Sequence, residues 1–295
     1  MTPPDRRRHP WRSDLAASYL EGQVPSRHFV AGWPRQVRVG CAALRAAPND
    51  RAEQQSQLLF GERVTLFEER DGWAWVQNRA DGYVGYLHGE ALDDILTEPT
   101  HWVAALRTFV YAQPDLKTPP REMLSLTSPV TVTGCKDGYA ALAGGGWVFA
   151  AHLVPWHHTE PDFVATALRL LGTPYLWGGR STIGLDCSAL VQLALAMAGI
   201  AAPRDSDMQR AELGESLGPV SSDGAGLIGR RGDLVFFPGH VAIMLDAHTL
   251  VHATAFAMAV TIEPLAAVIT RTDPSRGGGL SAVRRLRFPE GAGAA

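Results

Sequence analysis

The segment that most constrains this chain is residues 172–200, where a glycine-rich stretch runs directly into an apolar helical pattern. Four residues exclude a helix from its first half: Pro174, Gly178, Gly179 and Gly184. Residues of its second half recur at three- and four-residue steps: Cys187, Leu190, Val191, Ala194, Leu195 and Ala198. This spacing predicts a buried helix that ends at Gly199, with Asp186 as its N-cap and Cys187 in its first turn.

Cys187 has an unusual electrical setting at the predicted start of this helix. Unpaired backbone N–H groups and the positive end of the helix dipole favour a thiolate, which is the nucleophilic form of cysteine. The alternative is that Cys187 is a small buried hydrophobic residue, the usual fate of a free cysteine. This segment alone does not separate the two.

Length and composition bound the class of protein. The chain has 295 residues, which is enough for two or three domains, and its net charge of −3 gives no reason to expect nucleic acid or an anionic membrane as a partner. Three widely spaced cysteines argue against a disulfide framework, and no metal-type spacing is present, so neither metal nor cofactor is predicted. The basic N-terminus lacks the apolar run of a signal peptide, and residues 193–202, the longest apolar run, are too short to cross a bilayer. A soluble, cytoplasmic protein is expected.

Residues from about 37 onward form short alternating runs separated by turns, which is typical of a small β-barrel or sandwich. Strands are predicted at residues 64–67, 73–76 and 83–87, with turns at 71–72 and 81–82. The same order recurs at residues 130–133, 137–142 and 146–150. Two copies predict two related β modules rather than a solenoid.

Before these modules, residues 1–34 are polar and proline-rich, with one short helical candidate at 14–20. The predicted domains are therefore an N-terminal extension (1–34), two β modules (35–98 and 99–157) and a C-terminal domain (158–295). The last domain is predicted to contain a helix over 162–172, β structure over 233–254 and a final strand near 282–288.

Two histidines lie on neighbouring predicted strands of the C-terminal domain. If the turn between the strands centres on Asp246, His240 and His252 are directly opposite each other and share one face of the sheet. One imidazole could then take a thiol proton while the second fixes its tautomer. The alternative is a pair of half-exposed strand histidines without a role.

Six motifs complete the pattern and together resemble the NlpC-type cell-wall cysteine peptidases. They are Pro-Tyr-Leu-Trp-Gly-Gly (174–179), Gly-Leu-Asp-Cys-Ser-Ala-Leu-Val (184–191), Pro-Arg-Asp-Ser-Asp-Met-Gln (203–209), Gly-Asp-Leu-Val-Phe-Phe (232–237), Gly-His-Val-Ala-Ile-Met (239–244) and Val-His-Ala (251–253). The β modules resemble bacterial SH3-like domains, so the whole chain resembles the γ-D-glutamyl-L-diamino acid endopeptidases (the dipeptidyl-peptidase VI group). The resemblance implies a multidomain fold class: two small all-β SH3-like barrels followed by an α+β papain-like catalytic domain.

The resemblance also implies catalytic roles. Cys187 becomes the nucleophile, His240 the general base and His252 the orienting residue, while Tyr175 contributes a hydroxyl beside the nucleophile. Tyr175 as a plain core aromatic is the alternative.

Further family positions imply substrate contacts. Asp186, with Glu53 and Tyr86 of the first β module, is expected to bind the substrate's free amine, with Glu62 and Tyr83 as close rivals. Arg204 and Ser206 match the motif expected to bind the glutamate carboxylate, and Ser188 matches another binding position. The alternative for Arg204 is an ion pair with Asp205 or Asp207.

The implied substrates are murein-derived peptides with a free N-terminal L-Ala, cut at the γ-D-glutamyl–diamino acid bond to release L-Ala-γ-D-Glu. Recycling of imported wall peptides is the expected setting. Two alternatives stay open, namely a papain-like acyltransferase and a non-catalytic binder of wall peptides.

Overall fold

The computed structural model describes residues 3–273, 275 and 277–287, so Phe288 of the predicted last strand lies outside the described residues. The chain divides into two compact units, Met1–His157 and His158–Ala295.

The first half of the N-terminal unit is built from nine strands. They are β1 (Leu15–Ala17), β2 (His28–Val30), β3 (Trp33–Val37), β4 (Cys41–Arg45), β5 (Gln54–Leu59), β6 (Arg63–Arg70), β7 (Trp73–Asn78), β8 (Val84–His88) and β9 (Leu92–Asp93). Two short 3₁₀ helices accompany them, at Ser18–Leu20 and Gly89–Ala91. Seven of the strands form one sheet in the order β5-β4-β8-β7-β6-β3-β9, and β1 pairs in parallel with β2.

The β6–β7 hairpin follows from local chemistry. Asp71 and Gly72 have φ values of 52° and 78°, and they connect the directly paired residues Arg70 and Trp73. Positive φ at both central residues gives a turn whose twist matches that of the strands. The alternating apolar residues of these strands then face one core, which contains Leu44, Leu58, Val64, Val76 and Leu87.

The helix predicted at residues 14–20 is wrong. These residues form β1 and the 3₁₀ turn, because seven residues are too few for a stable isolated helix and β1 finds a partner in β2. Leu20, only 2% exposed, packs with Trp11 against Phe67 and Trp75. The N-terminal segment therefore supplies part of a second core on the first β module.

The second half of the N-terminal unit contains eight strands. They are β10 (His101–Val103), β11 (Arg107–Tyr111), β12 (Pro120–Ser125), β13 (Pro129–Val130), β14 (Val132–Lys136), β15 (Tyr139–Leu142), β16 (Trp147–Phe149) and β17 (Leu153–Pro155), with a 3₁₀ turn at Ala150–His152. Their sheet orders are β12-β11-β16-β15-β14 and β13-β10-β17.

The strand order of the second half repeats that of the first, as the sequence repeat predicts. The run β12-β11-β16-β15-β14 corresponds to β5-β4-β8-β7-β6, and β10 pairs with β17 as β3 pairs with β9. Register shifts occur in both copies, between Leu44 and Arg45 in the first hairpin and between Val110 and Tyr111 in its counterpart.

Within its described residues, the C-terminal unit combines four α-helices with a six-stranded antiparallel sheet. Its elements are α1 (Phe163–Arg169), β18 (Arg180–Ser181), β19 (Gly184–Leu185), α2 (Cys187–Met197), α3 (Ser206–Glu212), β20 (Glu215–Ser216), β21 (Leu234–Phe237), β22 (His240–Met244), β23 (Thr249–Thr254), β24 (Ala259–Pro264), α4 (Leu265–Thr272) and β25 (Ala282–Arg285). The sheet order is β20-β25-β21-β22-β23-β24.

Helix α2 is apolar on nearly every side and is buried along its length. The helix ends at Met197, two residues before the predicted stop at Gly199. Gly199 has φ +75° and donates its N–H to the Ala196 carbonyl, as is common just after a helix end. No helix within the described ranges is both long enough and apolar enough to span a membrane.

The β22–β23 register differs by one position from the prediction. Ile243 pairs with Val251 and Met244 with Leu250, so the turn centres on Ala247 rather than Asp246. The reason is local: Asp246 accepts hydrogen bonds from the N–H groups of His248 and Thr249 and so belongs to one side of the turn. His240 and His252 are diagonal neighbours in this register instead of direct opposites, and they still share a face.

Candidate active site

The N-terminus of α2 holds the candidate nucleophile in a fixed position. Asp186 caps the helix by accepting the Ala189 N–H at 2.9 Å, as predicted, and it also accepts the Gly178 N–H at 3.0 Å. The second bond attaches the glycine-rich loop before the helix to the cap itself. Cys187 follows as the first helical residue and is 7% exposed.

Asp186 is also half of a buried ion pair. Arg204, 1% exposed, donates from two nitrogens to the two Asp186 carboxylate oxygens, at 2.9 and 2.6 Å. Ser188 joins the pair by donating to Asp186 at 3.1 Å and accepting from Arg204 at 2.9 Å. These bonds hold the residues on both sides of Cys187 in place.

This network involves two of the predicted substrate contacts, Arg204 and Asp186, whose substrate roles stay predictions. The Arg204 guanidinium is enclosed and bonded to Asp186. The Asp186 carboxylate is occupied in turn by Arg204, Ser188 and two backbone N–H groups, which makes it a support of the nucleophile.

The Cys187 thiol lies against strand β22. The backbone N–H groups of Val241 and Ser188 donate to its sulfur, and burial together with the nearby Asp186 charge raises its pKa to about 12. The predicted preference of the helix terminus for a thiolate is thus outweighed by desolvation. At neutral pH Cys187 is therefore a neutral thiol. Val241 directly follows His240 in β22, so the strand that contacts the thiol also carries this imidazole.

His240 and His252 form a hydrogen-bonded pair. His240 Nε2 lies 2.8 Å from His252 Nδ1, with the ring centroids 5.0 Å apart. Burial, the neighbouring His252 and the Arg271 charge lower the pKa of His240 to about 3, so this imidazole is neutral at pH 7. Burial likewise lowers the pKa of His252, which is 1% exposed.

Two residues of this site were missed in the sequence. Glu263 on β24 places Oε2 2.8 Å from His252 Nε2, and Arg271 on α4 donates to both Glu263 carboxylate oxygens. Glu263 is diagonal to His252, because His252 pairs with Thr261 two positions earlier. A carboxylate one strand beyond the second histidine was the available signal, although the sequence alone does not give the β23–β24 register.

Tyr175 belongs to the same cluster. Burial and the negative charge that Cys187 or Asp186 can carry raise the pKa of its hydroxyl to about 12, so it stays protonated and can donate. Tyr175 is half-buried, and its N–H bonds to the Met258 carbonyl. Ser206, another predicted contact, is the half-buried first residue of α3.

The predicted amine contacts of the first β module have distinct environments. Tyr86 is half-buried, accepts a hydrogen bond from Arg12 at 3.0 Å and lines a cavity of about 320 Å³ with Asp14, Glu68 and Asp71. Glu53 is exposed and does not line this cavity.

Their two rivals are more enclosed. Glu62 is buried and accepts the Leu59 N–H at 2.9 Å, while Tyr83 is 3% exposed in the core of the first β module.

A buried cysteine at a helix start, facing a strand that carries one imidazole bonded to a second, is the arrangement of an enzyme with a cysteine nucleophile. Among the described residues, no cluster of His, Cys, Asp and Glu is arranged to hold a metal ion.

Comparison with known proteins gives the family. Residues 172–272 match the NlpC/P60 family and residues 44–92 match the bacterial dipeptidyl-peptidase SH3 domain. The matched C-terminal residues form a cysteine peptidase domain of the NlpC/P60 family, and an SH3 domain precedes it in the sequence. This confirms the predicted family and, of the predicted fold class, one SH3 domain followed by the NlpC/P60 domain.

Individual relatives cover most of the chain. Dipeptidyl-peptidase 6 of Lysinibacillus sphaericus is 28% identical over 72% of this chain and 84% of its own length. The gamma-D-glutamyl-L-lysine dipeptidyl-peptidase of Bacillus subtilis is 27% identical over 78% of this chain and 80% of its own. An NlpC/P60 family protein from Bacillus cereus shares the fold, with a TM-score of 0.70 at 20% identity over 86% of this chain and 99% of that one.

Proposed function

We propose that this protein hydrolyses the γ-D-glutamyl–diamino acid bond of murein peptides that carry a free N-terminal L-Ala, releasing L-Ala-γ-D-Glu. One observation carries the proposal. The Val241 N–H bonds to the Cys187 sulfur, and the residue before Val241, His240, bonds to His252. The names of the two dipeptidyl-peptidase relatives support the bond and the substrate class.

The chemistry is acyl transfer to water. His240 takes the Cys187 thiol proton through Nδ1, since its Nε2 is bonded to His252. The sulfur attacks the γ-carbonyl carbon, and the C–N bond breaks as His240 returns the proton to the departing amine. Water, deprotonated by the same imidazole, then cleaves the thioester and restores the thiol.

Charge on the carbonyl oxygen during attack requires donors fixed in advance. The Cys187 N–H, at the first position of α2, has no acceptor within the preceding helical turn. The Tyr175 hydroxyl is the second donor, and its raised pKa keeps it protonated throughout the neutral range. One backbone donor at a helix start and one phenol hydroxyl are together suited to an oxyanion.

Substrate contacts by Asp186, Arg204, Glu53, Tyr86, Ser188 and Ser206 stay predictions, as do the domain boundaries at 34/35, 98/99 and 157/158. The repeated strand order supports a second SH3-like domain over residues 99–157. Recycling of wall peptides and a cytoplasmic location also stay predictions, and fractionation of cells expressing the tagged chain tests the location.

Three peptides of matched composition test the proposal: L-Ala-γ-D-Glu-diaminopimelate, its α-linked isomer, and its N-acetyl derivative. We expect cleavage of the first alone, with L-Ala-γ-D-Glu and the diamino acid as products. Equal cleavage of the α-linked isomer contradicts the bond specificity, and equal cleavage of the acetylated peptide contradicts recognition of the free amine.

The same assay separates the two alternatives. An acyltransferase forms a new amide or ester when an amine or alcohol acceptor is added and hydrolyses little without it. A non-catalytic binder retains the peptide without turnover, in the wild type as in Cys187→Ala.

A further inference from the structure

Glu263 and Arg271 continue the hydrogen-bonded contacts of the histidine pair beyond His252. Glu263 Oε2 accepts from His252 Nε2 at 2.8 Å and from Arg271 at 3.0 Å, while Oε1 accepts the second Arg271 nitrogen. The Arg271 guanidinium also lies over the Phe256 ring, with its Cζ atom 3.7 Å from the ring centroid. The hydrogen-bonded series therefore runs Arg271–Glu263–His252–His240.

Hydrogen bonding sets a direction along this series. Arg271 has only donors, and its ion pair lowers the pKa of Glu263, so the carboxylate is ionised and only accepts. His252 Nε2 must then carry the proton, which leaves Nδ1 of the neutral ring as an acceptor. His240 Nε2–H donates to that Nδ1, and the lone pair of His240 is left on its Nδ1.

We propose that Glu263, held by Arg271, is the positioning residue that fixes this tautomer pair and so keeps His240 Nδ1 unprotonated as the general base. The inference rests on the proposed function, in which Nδ1 receives the Cys187 proton. Glu263 does not touch the reacting atoms. It acts through His252, much as the buried carboxylate of a serine-hydrolase triad acts through its single imidazole.

Glu263→Gln is expected to reverse the donor and acceptor roles along the series. The amide has an oxygen acceptor and an NH₂ donor, and Arg271 can only donate, so the oxygen turns to Arg271 and the NH₂ turns to His252 Nε2. His252 then carries its proton on Nδ1, His240 accepts on Nε2, and His240 Nδ1 becomes protonated. We expect kcat to fall at least about 100-fold with little change in KM, as the wrong-tautomer variant of a serine triad loses about 10⁴-fold.

A second substitution restores the direction. With Glu263→Gln and Arg271→Glu together, the new carboxylate accepts the amide NH₂, and the amide oxygen again accepts from His252 Nε2. The expected result is recovery of at least about 10-fold in kcat over Glu263→Gln. Arg271→Gln alone keeps Glu263 as an acceptor and should lose less kcat than Glu263→Gln. The matched control is Arg287→Gln, since Arg287 lies outside the series in a mostly exposed pair with Glu215 and its loss should leave kcat unchanged.

Nitrogen-15 NMR of the histidine rings reads the tautomers without any substrate. Wild type is expected to show His240 protonated on Nε2 and His252 on Nε2, Glu263→Gln both on Nδ1, and the double variant the wild-type pattern. Circular dichroism and thermal unfolding verify that each variant is folded. If Glu263→Gln does not fold, the wild-type spectrum alone decides, because a proton on His240 Nδ1 overturns the assignment.

The assignment is also overturned if Glu263→Gln keeps the wild-type tautomers, if it reverses them with kcat unchanged, or if the double variant regains the tautomers without regaining kcat. A wild-type enzyme that has the expected tautomers but cuts no γ-glutamyl peptide refutes the proposed substrate instead. The two failures are therefore distinguishable.

Discussion

His240 Nε2 lies 2.8 Å from His252 Nδ1, and this bond determines which imidazole nitrogen is left for the thiol. Desolvation raises the pKa of the Cys187 thiol to about 12 and lowers that of His240 to about 3, which favours a neutral thiol beside neutral imidazoles at pH 7.

The first prediction concerns pH and stability. The pKa of His240 is lowered from 6.5 to about 3, with His252, Glu263, Arg271 and Asp186 as the charged or titratable groups around it. Between these values the unfolded chain binds a proton that the folded protein does not, so stability falls as pH decreases from about 6.5 to 3, by at most about 1.4 kcal/mol per pH unit for this residue.

Urea unfolding at a series of pH values measures this slope. His240→Gln has no titrating ring at this position, so its free energy of unfolding should change less with pH over the same range. Equal slopes in the two proteins would show that His240 titrates normally when folded.

The second prediction concerns the buried ion pair. Asp186→Asn leaves Arg204 charged and enclosed without its carboxylate, and we expect a loss of about 3–5 kcal/mol in the free energy of unfolding. Glu215→Gln is the control, since its pair with Arg287 is mostly exposed and worth about 0–1 kcal/mol. Asp186→Asn combined with Arg204→Met should regain part of the loss. A loss below about 1 kcal/mol for Asp186→Asn alone contradicts the role given to the pair.

The third prediction concerns the N-terminal segment. Leu20→Ala removes a side chain that is 2% exposed in the core shared with Trp11, Phe67 and Trp75. We expect a loss of about 2–5 kcal/mol in the stability of the N-terminal unit, measured by chemical denaturation. Glu21 is the exposed neighbour, and Glu21→Ala should change the free energy of unfolding by no more than about 0.5 kcal/mol. Equal effects of the two substitutions would mean that the segment does not pack as described.

The fourth prediction concerns the oxyanion. Tyr175→Phe removes one hydroxyl donor and keeps the ring, so kcat should fall about 100-fold while KM changes little. Steady-state kinetics with the γ-linked tripeptide measure both constants. A change confined to KM would assign Tyr175 to substrate binding instead.

Local chemistry made part of this structure predictable. The Asp186 cap, the Asp71–Gly72 turn and the repeated strand order follow from neighbouring residues and their spacing. What the sequence does not give is the pairing of distant side chains. Arg204 pairs with Asp186 across a sequence separation of 18, and Glu263 reaches His252 through a strand register that no turn signal specifies.

The predicted and observed centres of the β22–β23 turn differ by one residue. A centre at Ala247 instead of Asp246 makes the histidines diagonal rather than opposite, yet even-numbered residues keep the same face and the hydrogen bond forms. The predicted catalytic set therefore tolerates a one-residue error in the turn centre, whereas the buried ion pair of Arg204 with Asp186 was not predicted at all.

The most direct measurement of the central claim is mass spectrometry of the enzyme quenched with acid during a single turnover of L-Ala-γ-D-Glu-diaminopimelate. We predict one L-Ala-γ-D-Glu acyl group in thioester linkage to Cys187, none on Cys41 or Cys135, and none anywhere in Cys187→Ala, which should still bind the peptide. Continued product formation by Cys187→Ala, or an acyl group on another residue, would contradict the account.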